Sequence, residues 1–302
     1  MRLGSRGSAL ARWQAQEVQR RLRQHGTEAA IEIVVTSGDR RTDVALATIG
    51  GKGLFTQEIE AGLLDGRLDL AVHSLKDVPT QLPPGLELVA MLERADPRDV
   101  LIAAPGMTLE QLPPGARVGT SSLRRQAQAL ALRPGLQVVP IRGNVDTRLR
   151  RWRDGDFDAL LLAAAGLTRL EHTGEIAEYL DPERFYPAAG QGVLALEARS
   201  LDAATRAATQ PLNDTATALA ATAERALLAR LNCGCQAPVA AYARLTAPDR
   251  LEMRALVALP DGSRCVRRSA HAAPAEAAAL GRSLAEALLA DGADAILQAI
   301  YG

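Results

Sequence analysis

The sequence predicts two α/β lobes followed by a smaller α+β domain, on three observations. Strand and helix signals alternate through the first third of the chain, a second series in the same order begins near Arg117, and the texture changes after about residue 212. Alternation of this kind builds a sheet with helices on its faces. In the first series, 10–24 carries apolar positions at helical spacing, 31–36 is a β-branched run, 54–64 is again helix-like and 68–72 is a short apolar strand. In the second, a strand over 117–119 precedes a helix over 122–132 that Pro134-Gly135 stops; a strand over 136–141, a helix over 144–152 and a strand over 158–164 follow. The last part reads as an Ala-rich helix over 216–231, two strands over 238–244 and 250–258, and a helix over 275–289.

The two series also share residues. Leu3-Gly4-Ser5-Arg6-Gly7-Ser8 leads into a helix containing Gln14-Ala15-Gln16, and Val118-Gly119-Thr120-Ser121-Ser122 leads into one containing Gln126-Ala127-Gln128. Asp65-Gly66-Arg67-Leu68-Asp69 and Asp154-Gly155-Asp156-Phe157-Asp158 each precede an apolar strand at the same place in their series. The first series is longer between these landmarks, which places a glycine-rich insertion around Ile49-Gly50-Gly51-Lys52-Gly53-Leu54-Phe55, a candidate mobile loop.

Composition narrows the function. The chain has 302 residues, enough for two or three domains, and 35 basic residues balance 35 acidic ones, so no global field draws it to nucleic acid or an anionic membrane. Three cysteines are too few for a disulfide framework, and the N-terminal segment has no apolar core of a secretory signal, so a cytoplasmic location is expected. No stretch has the ~20 apolar residues of a membrane span. Of the basic residues only Lys52 and Lys76 are lysine.

Charge is instead concentrated locally. Residues 117–153 hold nine arginines and one acid, Asp146. Two parts of this run, Gly119-Thr120-Ser121-Ser122-Leu123-Arg124-Arg125 and Arg142-Gly143-Asn144-Val145-Asp146-Thr147-Arg148, fall at strand-to-helix turns, where free backbone N–H groups and the helix dipole already favour anions. Arginine adds a fork matched to carboxylate or phosphate. Nucleic acid would call for interleaved aromatics, and only Trp152 lies in this run. A phosphate-loop reading of Gly51-Lys52 fails because Gly53 stands where Ser or Thr is needed. His73-Ser74-Leu75-Lys76-Asp77-Val78-Pro79 follows an apolar strand, which puts its polar groups at the sheet edge where open α/β folds bind ligands. Leu231-Asn232-Cys233-Gly234-Cys235-Gln236 joins the long helix to a strand; with no histidine close by, its thiols suit a core role, a nucleophile or an attachment point better than a metal.

Taken together, six segments in order resemble the porphobilinogen deaminase (hydroxymethylbilane synthase) family. They are Gly50-Gly51-Lys52-Gly53-Leu54-Phe55, His73 to Pro79, Gly119 to Gln126, Arg142-Gly143-Asn144, Pro187-Ala188-Ala189-Gly190-Gln191-Gly192 and Gly234-Cys235-Gln236-Ala237-Pro238. The resemblance implies two lobes like those of type II periplasmic binding proteins plus a smaller α+β C-terminal domain. The implied domains are a discontinuous first lobe of residues 1–92 and 193–212, a second lobe of 98–187, and a cofactor-attachment domain of 215–302. It further implies a transferase of tetrapyrrole (porphyrin, heme) biosynthesis that joins four porphobilinogen molecules head to tail with loss of ammonia and releases hydroxymethylbilane by hydrolysis. Growth starts on a dipyrromethane cofactor held to Cys235 through a thioether, and Asp77 is the catalytic carboxylate. Lys76, Ser74, Thr120, Ser122, Arg124 and Arg125 match residues that hold the cofactor. Arg6, Ser8, Arg142, Arg148 and Arg169 match those that bind the incoming porphobilinogen, and Lys52 and Phe55 fall in the mobile loop. No metal, nucleic acid or membrane is implied, and a monomer is expected. Each ring carries an acetate and a propionate, so the arginine run suits the cargo.

Two other readings compete. A non-catalytic solute-binding or effector-sensing module would share the two lobes but give Cys235 no purpose. A cysteine-dependent acyl transferase would need a histidine base, and none of His25, His73, His172 and His271 has a context that demands that role.

Overall fold

The structure, a computed structural model, describes residues 1–36, 56–234 and 237–301. The chain divides into two compact units, one of 1–95 and 192–218, the other of 96–191 and 219–302.

The first unit is built on a five-stranded sheet of order β2-β1-β3-β10-β4. Its strands are β1 (Arg2–Arg6), β2 (Ala30–Val34), β3 (Leu70–Ser74), β4 (Leu86–Met91) and β10 (Leu194–Arg199). β1 runs parallel to β2 and β3, whereas β10 lies antiparallel between β3 and β4. Side chains alternate faces along a strand. In β3, Leu70 and Val72 therefore join the cluster with Ala15, Val18 and Leu22 of α1 (Ala9–Gln24), while Ala71 packs with Ile59 and Leu63 of α2 (Gln57–Leu64). Both faces are covered, which is why this strand reads as an unbroken apolar run.

The second unit repeats the plan with a sheet of order β7-β6-β8-β5-β9. The strands are β5 (Asp99–Ile102), β6 (Arg117–Gly119), β7 (Gln137–Val139), β8 (Ala159–Ala163) and β9 (Ile176–Tyr179). β6 is parallel to β7 and β8, and β5 is antiparallel to β8 and β9. Helices α3 (Leu123–Leu132), α4 (Val145–Arg153) and α5 (Ala164–Arg169) follow β6, β7 and β8. Within β8, Ala159 and Leu161 face one cluster, with Ala129 of α3, and Leu160 and Leu162 face the other, with Leu149 of α4.

Residues 219–302 carry a separate antiparallel meander, β11 (Val239–Ala247), β12 (Arg250–Ala258) and β13 (Cys265–Ala272). One face buries Met253, Ala255 and Val257 against Leu227 of α7 (Thr215–Arg230), Leu280 and Leu284 of α8 (Ala277–Leu288), and Ile296 of α9 (Asp294–Tyr301). Between β10 and α7 lies α6 (Ala203–Thr209). The sequence showed two strands here; β13 escaped notice because Arg267, Arg268, Ser269 and His271 are exposed and hide its alternation.

This meander belongs to the same compact unit as 96–191, and its contacts explain why. Its second face packs Ala240, Leu256 and Ala258 onto Ala127 of α3. Gly262, at φ 73°, lets the β12–β13 turn lie against α3, where a Cβ would sit 2.7 Å from the Ala127 carbonyl oxygen. Glu224 of α7 is fully buried and accepts the backbone N–H groups of Gly190 at 2.6 Å and Ala243 at 2.7 Å. No helix among the described residues is long and apolar enough to cross a membrane.

Candidate functional site

Both sheets place polar residues at the C-terminal ends of their parallel strands. In the first unit β1 ends at Arg6, and Ser8 caps α1 by accepting the Ala11 N–H at 3.3 Å. Beside it β3 ends at Ser74, whose Oγ accepts from Gln14 Nε2 at 2.9 Å and so ties α1 to the strand end. A single 3₁₀ turn, Leu75–Asp77, comes next: Leu75 is buried under it while Lys76 and Asp77 are half-buried. No side chain among the described residues hydrogen-bonds to or pairs with the Asp77 carboxylate. A half-buried acid held on a short turn with its oxygens uncommitted is suited to a cationic or N–H-bearing ligand.

Behind this edge lies a buried titratable pair, and it holds His73, which the sequence put with the polar groups at the sheet edge. His73 Nε2 is 2.9 Å from Glu197 Oε2, and both side chains are buried. Burial pushes the nearby Glu60 carboxyl up; a hydrogen bond from Thr56 opposes this and the Glu197 charge adds to it. His73 is thus a core histidine beneath the strand end, and not a group at the binding edge.

In the second unit Thr120, Ser121 and Ser122 turn β6 into α3. Ser122 is the N-cap, its Oγ accepting from the Arg125 N–H at 3.4 Å, and Thr120 Oγ1 accepts from the Ser122 N–H at 3.2 Å. Arg124 and Arg125 in the first turn of α3 are both buried. They converge on Asp99, the first residue of β5, which is wholly buried. Arg124 Nη1 donates to Asp99 Oδ2 at 2.6 Å and Arg125 Nε to Oδ1 at 2.8 Å, while Gln191 Nε2 donates to Oδ1 at 3.0 Å. Burial alone would raise the Asp99 pKa; the two guanidiniums outweigh it and hold the carboxyl far below the usual carboxylate range.

The next turn carries Arg142 and Arg148. Asn144 caps α4 by accepting the Thr147 N–H at 2.9 Å, and Arg148 Nε donates to the Gly143 carbonyl at 2.8 Å, folding that side chain back onto the turn. Gly143 sits at φ 108°, and a Cβ there would fall 2.8 Å from a Thr147 methyl. Asp146 is turned away from this work: its Oδ1 lies 3.0 Å from His172 Nε2, and His172 Nδ1 lies 3.3 Å from Glu175. Arg169 is half-buried at the end of α5. Arg151 and Arg153 pair instead with Asp156 and Glu175.

Comparison with known proteins gives the family. A family model described as porphobilinogen deaminase, dipyromethane cofactor binding domain, matches residues 1–207, and one described as porphobilinogen deaminase, C-terminal domain, matches 218–290. The chain belongs to the porphobilinogen deaminase family. The porphobilinogen deaminase of Syntrophotalea carbinolica is 52% identical over 99% of this chain and 96% of its own length. That of Bordetella parapertussis is 50% identical over 98% of this chain and 94% of its own. Among solved structures, a periplasmic substrate-binding protein of an ABC transporter from Coxiella burnetii covers 70% of this chain and 91% of that one, at TM-score 0.44 and 14% identity. The periplasmic aliphatic sulphonate binding protein SsuA from Escherichia coli covers 77% of this chain and 70% of its own, at TM-score 0.42 and 15% identity. With its family membership the chain is a transferase of tetrapyrrole biosynthesis that polymerises porphobilinogen and has a dipyrromethane-binding domain.

The structure gathers Arg6, Ser8, Ser74, Lys76 and Asp77 at one sheet edge, and Thr120, Ser122, Arg124, Arg125, Arg142 and Arg148 at the corresponding edge of the other sheet. Cys235, Lys52 and Phe55 lie outside the described residues. Cys233 is buried in the core of the C-terminal meander, and Cys265 is half-buried, with burial pushing its thiol up and Arg267 opposing. Two polar residues that sequence reasoning missed are Asp99 and Glu224. The only signal for them was position: Asp99 borders the apolar run Val100-Leu101-Ile102, and Glu224 lies within the Ala-rich helix.

The donor set fits a carboxylate-bearing pyrrole group. Two arginines at a capped helix start, hydroxyls from Thr120 and Ser122, and the Arg142 and Arg148 turn are cationic or hydrogen-bond-donating, and dipyrromethane presents acetates and propionates to such groups.

Proposed function

We propose that the enzyme extends a dipyrromethane thioether-linked to Cys235 by four porphobilinogen units and then releases hydroxymethylbilane, acting as a monomer in the cytoplasm. The observation that carries this reading is the Asp77 carboxylate, presented uncommitted on a 3₁₀ turn at the end of β3 within the family segment His73 to Pro79. Its supporting observation is the arginine-rich pair of strand-to-helix turns.

When bound, the dipyrromethane supplies the nucleophilic pyrrole α-carbon from which the chain grows. Asp77 accepts hydrogen bonds from pyrrole N–H groups and stabilises the positive charge that develops on the incoming ring as its C–N bond breaks, ammonia leaves, and the new C–C bond forms with loss of the α-proton. Lys76, Ser74, Thr120, Ser122, Arg124 and Arg125 hold the acidic side chains of the anchor. Arg6, Ser8, Arg142, Arg148 and Arg169 take those of the incoming porphobilinogen. Burial of Cys233 supports Cys235 as the attachment point, since a thiolate must reach solvent-delivered substrate to react.

Intact-mass measurement, followed by fragmentation of the peptide spanning Cys233 and Cys235, tests the reading. An excess of two linked pyrrole units on Cys235 is expected. A protein that carries no excess and gains none on incubation with porphobilinogen would overturn it.

A further inference from the structure

Two adjacent arginines in the first turn of a helix are electrostatically out of place, because the helix N-terminus is itself the positive end of the dipole. Neighbouring helix positions also point about 100° apart. Yet Arg124 and Arg125, only 4% and 6% exposed, bend toward one carboxylate. Arg124 Nη2 lies 3.2 Å from Asp99 Oδ1 in addition to its Nη1 contact, which makes that pair bidentate, and Arg125 places both Nε and Nη2 at 2.8 Å from the same oxygen. The outward sides of the two guanidiniums are fixed by main-chain carbonyls: Arg124 Nη1 donates to Tyr186 O at 2.7 Å and Arg125 Nη1 to Leu161 O at 3.0 Å.

Asp99 is itself immobilised. It opens β5, which pairs with β8 on one side and β9 on the other, and its carbonyl accepts the Leu180 N–H at 2.9 Å. Gln191 Nε2 is shared between Asp99 Oδ1 and the Pro97 carbonyl at 2.7 Å. A buried carboxylate with this many charge-assisted donors is a rigid reference point for every group bonded to it. Without it, two like charges would be buried side by side at the positive end of a helix, and neither would keep its present rotamer.

We propose that Asp99, oriented by Gln191, is a positioning residue for attachment of the covalent dipyrromethane: it fixes the side chains of Arg124 and Arg125 at the start of α3, the edge to which the functional reading brings the pyrrole carboxylates. The inference rests on the functional reading above, and deepens it by assigning a role to a residue that does not touch the ligand.

The test uses full-length protein prepared without cofactor and incubated with porphobilinogen, with the rate of mass gain read per folded molecule. Asp99→Asn is compared with Val100→Ala, a core variant of the same strand chosen to report lost stability alone, at temperatures equally far below each variant's melting point. Loading at least tenfold slower in Asp99→Asn than in Val100→Ala is expected, and equal rates would overturn the proposal. Should Asp99→Asn not fold, Gln191→Leu keeps the Asp99 charge and removes the amide that orients it, along with that amide's contacts to the Pro97 carbonyl and Arg124. Loading slowed at least threefold supports the role, and unchanged loading overturns it. Wild-type protein that gains no mass identifies failure of the functional reading itself, and the role of Asp99 falls with it.

Discussion

Asp69 accepts the backbone N–H of Arg2 at 2.7 Å. Asp158 accepts that of Arg117 at 2.6 Å in the other unit. Each aspartate stands just before the central parallel strand of its sheet, and each partner opens the strand beside it. The aspartates are the last residues of the two segments, Asp65 to Asp69 and Asp154 to Asp158, that the sequence pairs as a repeat. Their shared task is to lock the entry register of two neighbouring parallel strands, so that the polar residues at the far ends of those strands arrive level with one another.

Asp69 also engages the Arg2 guanidinium at 2.7 Å, and that side-chain hydrogen bond, against the opposing effect of burial, holds its carboxyl down to about 2. A depressed carboxylate contributes its stability above its unfolded pKa, about 3.9, and loses it as pH falls through the folded value. Thermal unfolding should therefore show an acid-side loss between about pH 4 and pH 2 that shrinks in Asp69→Asn. That variant should also be less stable than the parent at neutral pH. A variant with the parent's full acid dependence would remove Asp69 from this account.

Gly143 permits the turn that presents Arg142 and Arg148. Alanine there must accept a φ of 108° and a methyl 2.8 Å from the Thr147 side chain. Gly143→Ala should lose about 1–3 kcal/mol of stability by denaturant titration, the usual cost of a strained non-glycine conformation. If Arg142 and Arg148 hold porphobilinogen carboxylates, KM should rise several-fold while kcat changes less. A rise in kcat/KM would contradict both.

The layered α/β plan was legible because period and punctuation are local: Pro134-Gly135 does end α3, and the helix expected over 216–231 is found at 215–230. The Ser-rich turns were legible for the same reason, and Ser8 and Ser122 both cap helices. Even the glutamine correspondence sharpens in three dimensions. Gln14 and Gln128, each six residues beyond its cap, are the buried pair, so the repeat aligns with the second glutamine of the later triplet and not the first. Strands β4, β5, β9 and β10 were not read, since they pair with partners distant in sequence and their short apolar runs carry no period of their own. The buried acids were equally silent. Asp99 looks in sequence like one more surface charge beside Asp96 and Arg98, and only the convergence of Arg124, Arg125 and Gln191 reveals its place.

Glu224 shows what such an acid contributes. Its two oxygens accept the N–H groups of Gly190 and Ala243, joining α7 to the segment before β10 and to β11. Glu224→Ala would strand two buried donors, at about 1–3 kcal/mol each, so a loss of about 2–6 kcal/mol is expected from chemical denaturation. Glu224→Gln retains one acceptor and should lose markedly less. Equal losses in the two variants would mean that side-chain volume, and not hydrogen bonding, is what Glu224 provides.

Asp77 differs from all of these acids in having no protein partner among the described residues. A carboxylate bonded into the fold contributes to stability, whereas one left uncommitted on a short turn has little fold energy to lose. Asp77→Asn preserves volume and removes charge, so the melting temperature should stay within a degree or two of the parent. Stabilisation of positive charge that grows toward the transition state is lost in kcat more than in KM. The expected drop in kcat is on the order of 10²-fold, the usual size for one electrostatic or proton-transferring group. Steady-state kinetics with porphobilinogen on the folded variant decides the matter. A variant that raises KM and leaves kcat intact would make Asp77 a binding group only, and one that melts far below the parent would make it structural.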